Sequence, residues 1–332
     1  MHQVDIEIFR TAQTRINPGA MRRWLDRCGA EETDVPYVER GDLCETCRGS
    51  GFDVDYSSDC PACEGQGNQP PETSDAGAIC GMNAKRCYLS FEPGLNPNVT
   101  RVRKDWHEYL TNVVASGHGS VIEHASYTYA IEGVTRVCEV ELVRHRVGTA
   151  YSIQSGRYVR YDDVPFWMPK SLASGDLSLM GYRKCKECEG ADCIKCYGAG
   201  KIQRLPTSVF EKKKDITRKI LEDAFSEDER AYKELCDLWG IADMKSFATK
   251  KKLTSLFRRV IGQGVSTGIT MTANMRAIRH MIAMRTHESA EEEIAYLFSM
   301  IAKDVITSEP SIMADFTRDE KTGAWVPGHW KV

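Results

Sequence analysis

The stretch Arg144-His145-Arg146, followed after a short loop by Ser155-Gly156-Arg157-Tyr158, carries the most information in this sequence. Arginine binds phosphate through paired N–H donors, and glycine lets the backbone approach a ligand closely. Apolar residues at helical spacing precede the arginines, at Val134, Val137 and Cys138, so we expect the cluster on a half-buried helix. For an isolated Arg-His-Arg, an exposed basic turn is the alternative. The polar residues that follow favour a ligand site.

The composition is that of a globular protein. The 332 residues are 42% hydrophobic and 27% charged, which permits a large core in one domain or two. The net charge of −3 gives no basic field for nucleic acid, and we expect the lysine runs 212–214 and 250–252 to be solvated helix faces. There is no signal pattern and no run of membrane-spanning length. We therefore expect a soluble, cytoplasmic protein with neither membrane nor nucleic acid as a partner.

Helical and strand patterns alternate along the chain, which predicts an α+β fold with a central sheet and helices. Long helices are predicted at about 207–238, with a break near Ser226, and at 244–260. The Gly/Thr-rich stretch 262–272 is expected to be a loop or a strand. Two helices are predicted to follow at about 274–284 and 290–306, and Ser289 with Glu292 resembles a capping box for the second.

Most of the thirteen cysteines are arranged for metal binding and not for disulfides. Eight form Cys-x-x-Cys pairs, a spacing that suits tetrahedral thiolate coordination of zinc. With every position filled by cysteine, two such zinc sites would be structural. The paired residues are Cys44, Cys47, Cys60, Cys63, Cys185, Cys188, Cys193 and Cys196. We expect the others to be small buried apolar residues, namely Cys28, Cys80, Cys87, Cys138 and Cys236.

Glycines follow the pairs, as in Cys-Arg-Gly-Ser-Gly at 47–51 and Cys-Tyr-Gly-Ala-Gly at 196–200. This repeat resembles the cysteine-rich domain of DnaJ-class chaperones. The resemblance implies nested ligation, with pairs 44/47 and 193/196 on one zinc and pairs 60/63 and 185/188 on the other. Sequential ligation, with the first two pairs on one ion and the last two on the second, remains the alternative.

Several separate segments together resemble the flavin-dependent thymidylate synthases. They are Arg-His-Arg with the later serine, the turn 117–124, the turn 84–88, and the pattern of Asn274, Arg276, His280 and Arg285 with Arg258 sixteen residues before it. The resemblance covers roughly residues 80–180 and 205–316. It implies the fold of that family for 1–33, 77–180 and 205–332. The segments 34–76 and 181–204 would then be insertions that form a small zinc-binding domain.

The resemblance also implies an activity and its site residues. The activity is methylation of dUMP to dTMP, with methylenetetrahydrofolate as carbon donor, FAD as cofactor and NADPH as reductant, in a homotetramer with sites between subunits. Arg285 is implied as the catalytic residue. The implied dUMP-binding residues are Glu141, Arg144, Gln154, Ser155, Gly156, Arg157, Arg258 and Arg285. The implied FAD-binding residues are Ser120, Arg144, His145, Arg146, Asn274, Arg276 and His280.

The residues themselves leave alternatives open for the site and for the activity. Glu141 and Arg144 are expected on one helix face, where a structural ion pair is the plainer interpretation. Arg276 and Arg285 lie about 180° apart on a helical projection, so one unbroken helix would direct them to different places. The same scaffold could make a hydroxymethylated pyrimidine nucleotide. A catalytically inactive, zinc-stapled binding module is the alternative from another class.

Overall fold

The computed structural model describes residues 1–29, 74–103, 105–176, 178–179, 182–184, 201–203 and 205–332. Contacts divide the chain into two compact units. The first unit comprises Met1–Glu7, Glu132–Val140 and Ile153–Ile269, and the second comprises Ile8–Ile131, Glu141–Ser152 and Thr270–Val332. The eight paired cysteines, and with them the predicted zinc sites, lie outside the described residues.

In chain order the strands and helices are β1 His2–Gln3, β2 Glu7–Gln13, α1 Pro18–Arg27, α2 Asp75–Tyr88, α3 Trp106–Ala115, β3 Ser126–Thr135, α4 Arg136–Leu142, β4 Thr149–Ile153, β5 Pro165–Phe166, β6 Tyr182–Lys184, β7 Lys201–Gln203, α5 Thr207–Leu238, α6 Phe247–Phe257, β8 Ser266–Asn274, α7 Met275–Arg285, α8 Glu292–Ser308, β9 Phe316–Arg318 and β10 Trp325–Pro327. The fold is thus mixed α/β, as the sequence patterns predict. No helix within the described ranges is both long enough and apolar enough to cross a membrane.

Four strands form a sheet in the order β2-β3-β8-β4, and the larger part of each belongs to the second unit. Alternation explains β3, since Tyr127, Tyr129 and Ile131 are buried and the residues between them are less so. The Gly/Thr-rich stretch, expected as a loop or a strand, contributes β8. Helices α7 and α8 pack together in this unit, and each contains fully buried residues, such as Ile282 and Leu297.

The start of α8 differs from the expected capping box. Its N-cap is Glu291, whose carboxylate accepts hydrogen bonds from the Glu293 and Ile294 backbone N–H groups at 2.8 and 3.3 Å. Ser289 does not cap the helix because its hydroxyl is 2.8 Å from Nδ1 of His287. A carboxylate in this position also interacts favourably with the positive end of the helix dipole.

The long helix α5 belongs to the first unit and runs unbroken over 32 residues, so the break expected near Ser226 is wrong. Ion pairs bridge that region, with Arg230 bonded to Glu227 and Glu234. The helix is also held on both sides of Ser226, because Phe225 packs in one apolar cluster and Tyr232 in another. Tertiary packing therefore overrides the local polar sequence.

Helix α4 ends earlier than the pattern indicates. It stops at Leu142, so Arg144 lies in the following turn and does not share a helix face with Glu141. The Arg144 N–H donates to the Glu141 carbonyl at 3.4 Å, which is a turn contact. The Arg-His-Arg cluster therefore follows the end of helix α4 and does not lie on the helix.

The unpaired cysteines are only partly as expected. Cys80, Cys138 and Cys236 are buried, and burial raises the pKa of the Cys80 thiol. Cys28 is half-buried and Cys87 is exposed, so the expectation of a buried apolar residue is wrong for Cys87.

Strands β6 and β7 flank the second cysteine segment. They pair antiparallel, with Lys184 opposite Lys201. Lys184 and Lys201, the residues before and after this segment, are therefore adjacent.

Gly133 tests the packing of the first unit. Its φ is +80°, and a Cβ there would overlap the carbonyl oxygen of Asp5. We expect Gly133→Ala to lower the free energy of unfolding by about 3 kcal/mol, from the left-handed backbone together with the steric overlap. Gly175 has a φ of +79° and open space around its Cβ position, so Gly175→Ala is the matched control and costs about 1 kcal/mol. Urea unfolding measures both, and equal losses would contradict the assigned overlap.

Candidate active site

A cavity of about 590 Å³ lies in the first unit. Three segments line it, namely the start of α4, the loop after β4, and the turn after α6. The residues are Arg136, Glu139, Ile153, Gln154, Ser155, Gly156, Tyr161, Arg258, Arg259, Ile261, Gly262 and Gln263. Three arginines face one carboxylate in this lining, so the cavity carries excess positive charge. Its size is in the range of small-molecule sites.

Arg136 organises the cavity wall. Its Nη2 donates to the Gln154 carbonyl at 3.0 Å and to the Tyr161 hydroxyl at 3.1 Å, and its Nη1 is ion-paired with Glu139. The guanidinium therefore ties the helix to the loop that bears Ser155. None of Arg136, Glu139 and Tyr161 was among the predicted site residues. The three-residue spacing of Arg136 and Glu139 on a predicted helix was a usable signal, whereas no pattern marked Tyr161.

The Ser155 loop is a tight turn built by its own backbone. The Ser155 carbonyl accepts hydrogen bonds from the Tyr158 and Val159 N–H groups, both at 3.0 Å, and the Ser155 hydroxyl accepts from the Arg157 N–H at 3.3 Å. A Cβ at Gly156 would lie 2.7 Å from the Tyr161 hydroxyl oxygen, so any larger residue there would displace the Tyr161 ring. The turn presents Ser155 and Gly156 to the cavity and leaves exposed Arg157 out of the lining.

Gln154 is anchored to strand β8. Its backbone N–H donates to the Gly268 carbonyl at 3.0 Å, and its side-chain Oε1 accepts from the Gly268 N–H at 3.3 Å. The doubled contact fixes the start of the loop. It also uses the Gln154 side-chain oxygen, so the amide nitrogen is the group left to meet a ligand.

A separate cluster in the second unit contains Arg285. Its Nε donates to Nε2 of His145 at 2.8 Å, and its Nη1 donates to the Glu141 carboxylate at 2.6 Å. Its Nη2 donates to the Glu141 carbonyl at 3.3 Å. The ion-pair partner of Glu141 is thus Arg285 and not Arg144. The Arg285 side chain is only 17% exposed, so this pairing is shielded from water.

These contacts set the state of His145. Since Nε2 accepts a hydrogen bond from Arg285, the neutral ring carries its proton on Nδ1. The pKa of His145 is lowered from 6.5 to about 4, first by burial and then by the positive charges of Arg285 and His280. The His280 ring centroid is 6.2 Å away. His145 is therefore a neutral imidazole at physiological pH.

Asn274 and Arg276, which are also predicted site residues at the start of α7, have other partners than Arg285. Asn274 caps the helix through the Ala277 N–H, and its own N–H donates to the Gly148 carbonyl at 2.9 Å. Arg276 is paired with Glu123 at 2.6 Å. Because α7 is unbroken, Arg276 and Arg285 point to different partners, as their spacing predicts.

The structure groups the predicted residues only in part. Of the eight predicted for dUMP, the cavity includes Gln154, Ser155, Gly156 and Arg258. Ser120, Arg144 and Arg146 are exposed, and their side chains have no hydrogen bond or ion pair to another described residue.

His118, in the turn 117–124, lies against an aromatic ring. His118 Nε2 is 3.0 Å from the Tyr88 hydroxyl, and the two rings are in edge contact. No group of three or more potential ligands that could hold a metal ion occurs in the described part of the chain.

Comparison with known proteins identifies the family of this chain. Residues 71–311 match the family described as thymidylate synthase complementing protein. A Mycobacterium sp. (strain JLS) protein named flavin-dependent thymidylate synthase is 30% identical over 249 residues, which cover 74% of this chain and 83% of the relative. The chain belongs to the thymidylate synthase complementing protein family.

Two more distant similarities accompany these. A flavin-dependent thymidylate synthase of Mycobacteroides abscessus is 27% identical over 265 residues, covering 80% of this chain and 84% of that protein. The crystal structure of the UMP/dUMP methylase PolB from Streptomyces cacaoi, bound with 5-Br dUMP, is 17% identical with a TM-score of 0.49, covering 72% of this chain and 88% of that one.

The pKa of His145 can be checked by NMR with ¹³C-labelled histidine. We expect one resonance, absent in His145→Gln, to titrate with a midpoint near pH 4. Arg285→Ala should raise this midpoint without restoring 6.5, because burial is the largest cause of the shift. Since the folded pKa is the lower one, acid favours unfolding between pH 6.5 and about 4. Arg318→Ala, at the surface of the same unit, should change nothing. A wild-type midpoint above 6 would contradict the assigned hydrogen bond.

Proposed function

We propose that the chain catalyses FAD-dependent methylation of dUMP to dTMP. The observation that carries the proposal is the positively charged cavity closed by the Ser155-Gly156 turn, in a chain of this family. The Mycobacterium sp. and Mycobacteroides abscessus relatives bear the name flavin-dependent thymidylate synthase. Membership supports an enzyme of this type.

The cavity of the first unit would hold the phosphate and sugar of dUMP. Arg258 is exposed at its rim with no side-chain partner among the described residues, so its guanidinium can form a bidentate contact with phosphate. The Ser155 hydroxyl and the Gly156 backbone add polar contacts. Ser155 would be a binding residue and not a nucleophile, because none of the cavity-lining side chains is positioned as a base beside its hydroxyl.

Arg285 would act on the uracil ring. A shielded guanidinium stabilises negative charge that develops on the pyrimidine as C5 becomes nucleophilic. Glu141 and neutral His145 hold the guanidinium through three of its N–H groups. They would orient Arg285 before substrate arrives, which lowers the reorganisation needed in the reaction.

The second unit offers a donor set that fits FAD. Arg144 and Arg146 are exposed cations, Ser120 has an exposed hydroxyl, and His280 is exposed on α7. Cations and hydroxyl donors are the groups that bind a diphosphate. Arg276, Asn274 and His145 complete the proposed set. When bound, the reduced flavin would supply the hydride, and the protein would contribute position and charge.

The co-substrates and the assembly are further parts of this proposal. Methylenetetrahydrofolate would donate the carbon, and NADPH would reduce the flavin. The chain would work as a homotetramer with sites between subunits. The separate partners of Arg276 and Arg285 support this, because the two guanidinium groups serve different places in one chain.

The function is tested with purified protein given FAD, dUMP, methylenetetrahydrofolate and NADPH. We expect NADPH to bleach the flavin absorbance and the product to have the mass of dTMP; light scattering on the same sample gives the oligomeric state. A product with one extra oxygen would indicate the hydroxymethylating alternative. Protein that takes up no FAD would indicate the non-catalytic binding module.

The same assay tests the role of Arg285. Arg285→Lys keeps the charge but loses the planar fork, so we expect kcat to fall about 100-fold with unchanged flavin uptake. Arg318→Lys is the surface control and should retain full turnover. Full turnover of Arg285→Lys would rule out ring stabilisation by the guanidinium fork.

We also propose that the cysteine pairs bind two structural zinc ions in the nested arrangement. The support is the sequence repeat, together with the β6–β7 pairing, which brings Lys184 and Lys201 on either side of the second segment next to each other. Such sites stabilise a small segment that cannot build a core of its own.

Zinc content distinguishes the two ligation schemes. Changing all four cysteines of the second segment (185, 188, 193 and 196) to Ser removes two ligands from each ion if ligation is nested, so we expect the zinc content to fall from two ions to none. Under sequential ligation one zinc would remain bound per chain. Changing the unpaired Cys28 and Cys87 to Ser is the control and should leave both ions. Atomic absorption on gel-filtered protein measures all three.

A further inference from the structure

One face of α6 contacts the loop that bears Ser155 and Gly156. Phe247, Lys251 and Thr254 lie at spacings of four and three residues, so they share that face. The Tyr158 ring stacks on Phe247, with ring centroids 6.3 Å apart and planes at 22°. The Lys251 ammonium lies 4.4 Å from the centroid of the Tyr158 ring and donates to its hydroxyl.

The third contact reaches the backbone of the loop. The Thr254 hydroxyl lies 3.2 Å from the Arg157 carbonyl and 3.0 Å from the Lys250 carbonyl of its own helix, so its one hydrogen is shared between the loop and the helix. The contacts from this face to the loop are therefore all with Arg157 or Tyr158, the two residues that follow Gly156. Thr254 is buried, which shields this hydrogen bond from water.

These contacts are not part of an apolar core. The Tyr158 side chain is 57% exposed and that of Phe247 is 66% exposed, so their stacking buries little area. Stability of the fold does not account for an aromatic pair and a lysine in this arrangement. Their geometric effect is to fix where the loop lies relative to α6.

The same helix also carries the opposite side of the cavity. Helix α6 ends at Phe257, and the next residue, Arg258, lines the cavity together with Ser155 and Gly156. One rigid element is thus connected to both groups that would grip a phosphate. A shift of the loop along α6 would change the distance between them.

We propose that Phe247, Lys251 and Thr254 are positioning residues that hold the Ser155-Gly156 turn at a fixed distance from Arg258 and thereby set the nucleotide affinity of the cavity. The identity of the nucleotide as dUMP rests on the proposed function. The contacts themselves and their effect on the loop do not depend on it.

Two backbone amides of the loop can report whether the turn opens. The Tyr158 and Val159 N–H groups are both bonded to the Ser155 carbonyl, so their hydrogen exchange measures opening of the turn. Lys251→Met removes the ammonium and keeps an unbranched apolar side chain on the helix. We expect exchange at these two amides, in ligand-free protein, to become about fivefold faster, as loss of a charged contact at an exposed site implies.

The matched control is Lys252→Met. Lys252 is exposed in the same lysine run and its side chain has no partner among the described residues. This variant should leave exchange of both amides unchanged. Lys251→Arg keeps a cation and a donor, and should stay within about twofold of wild type.

Steady-state kinetics then separate positioning from chemistry. For Lys251→Met we expect the KM for dUMP to rise about fivefold while kcat stays within about twofold, because the group acts on binding alone. Tyr158→Phe keeps the stacked ring but loses the hydroxyl, and it should raise KM in the same way. The double variant with Tyr158→Phe and Lys251→Met should raise KM little further than either change alone, since both remove the same hydrogen bond.

Specific results would overturn the proposal. Unchanged amide exchange in Lys251→Met would show that α6 does not hold the turn. Faster exchange with an unchanged KM would show that the turn does not set nucleotide affinity. If the wild-type protein bound no dUMP in calorimetry, the proposed function would be wrong, and the exchange data would still decide whether α6 holds the loop.

Discussion

The guanidinium of Arg136 is the contact on which the cavity of the first unit depends. It bonds the Gln154 carbonyl and the Tyr161 hydroxyl at once, and Glu139 balances its charge. A half-buried arginine without these partners would be costly, so the helix, the loop and the tyrosine are held together. Gly156 then fits against Tyr161 because it has no side chain. The position of Ser155 follows from these contacts.

In the second unit, too, an arginine is held by hydrogen bonds to residues far away in the sequence, here Arg285. Glu141 and His145 hold Arg285 in a shielded environment, and burial, together with the charge of Arg285, keeps His145 neutral. A neutral imidazole accepts a hydrogen bond from the guanidinium, whereas an imidazolium would repel it. The hydrogen bond to Arg285 therefore fixes which nitrogen of the neutral His145 ring accepts. The proposed role of Arg285 would use this arrangement, in which the guanidinium is oriented before substrate arrives.

Predictions from the sequence succeeded where a signal was local. The mixed class of helices and strands, the closing helices and the divergence of Arg276 and Arg285 follow from periodicity. Residue types marked the loop with Gln154, Ser155 and Gly156, which lines a cavity, and its role in binding stays a prediction. The predictions failed where contacts with residues far away in the sequence determine the local structure. The break near Ser226 is absent because two apolar clusters hold α5 on either side. Helix α4 ends before Arg144, so the expected pairing with Glu141 gives way to one with a residue 144 positions away.

The sequence alone determined the family, the residue types of the site and the fourfold cysteine repeat, because these are properties of spacing and chemistry along the chain. Only the tertiary structure decided which charged group meets which. It paired Arg285 with Glu141, placed Arg136 and Tyr161 in the cavity, and set α6 against the Ser155 loop. The reason is that such contacts join residues far apart in sequence, and no local pattern records the distance between them once the chain has folded.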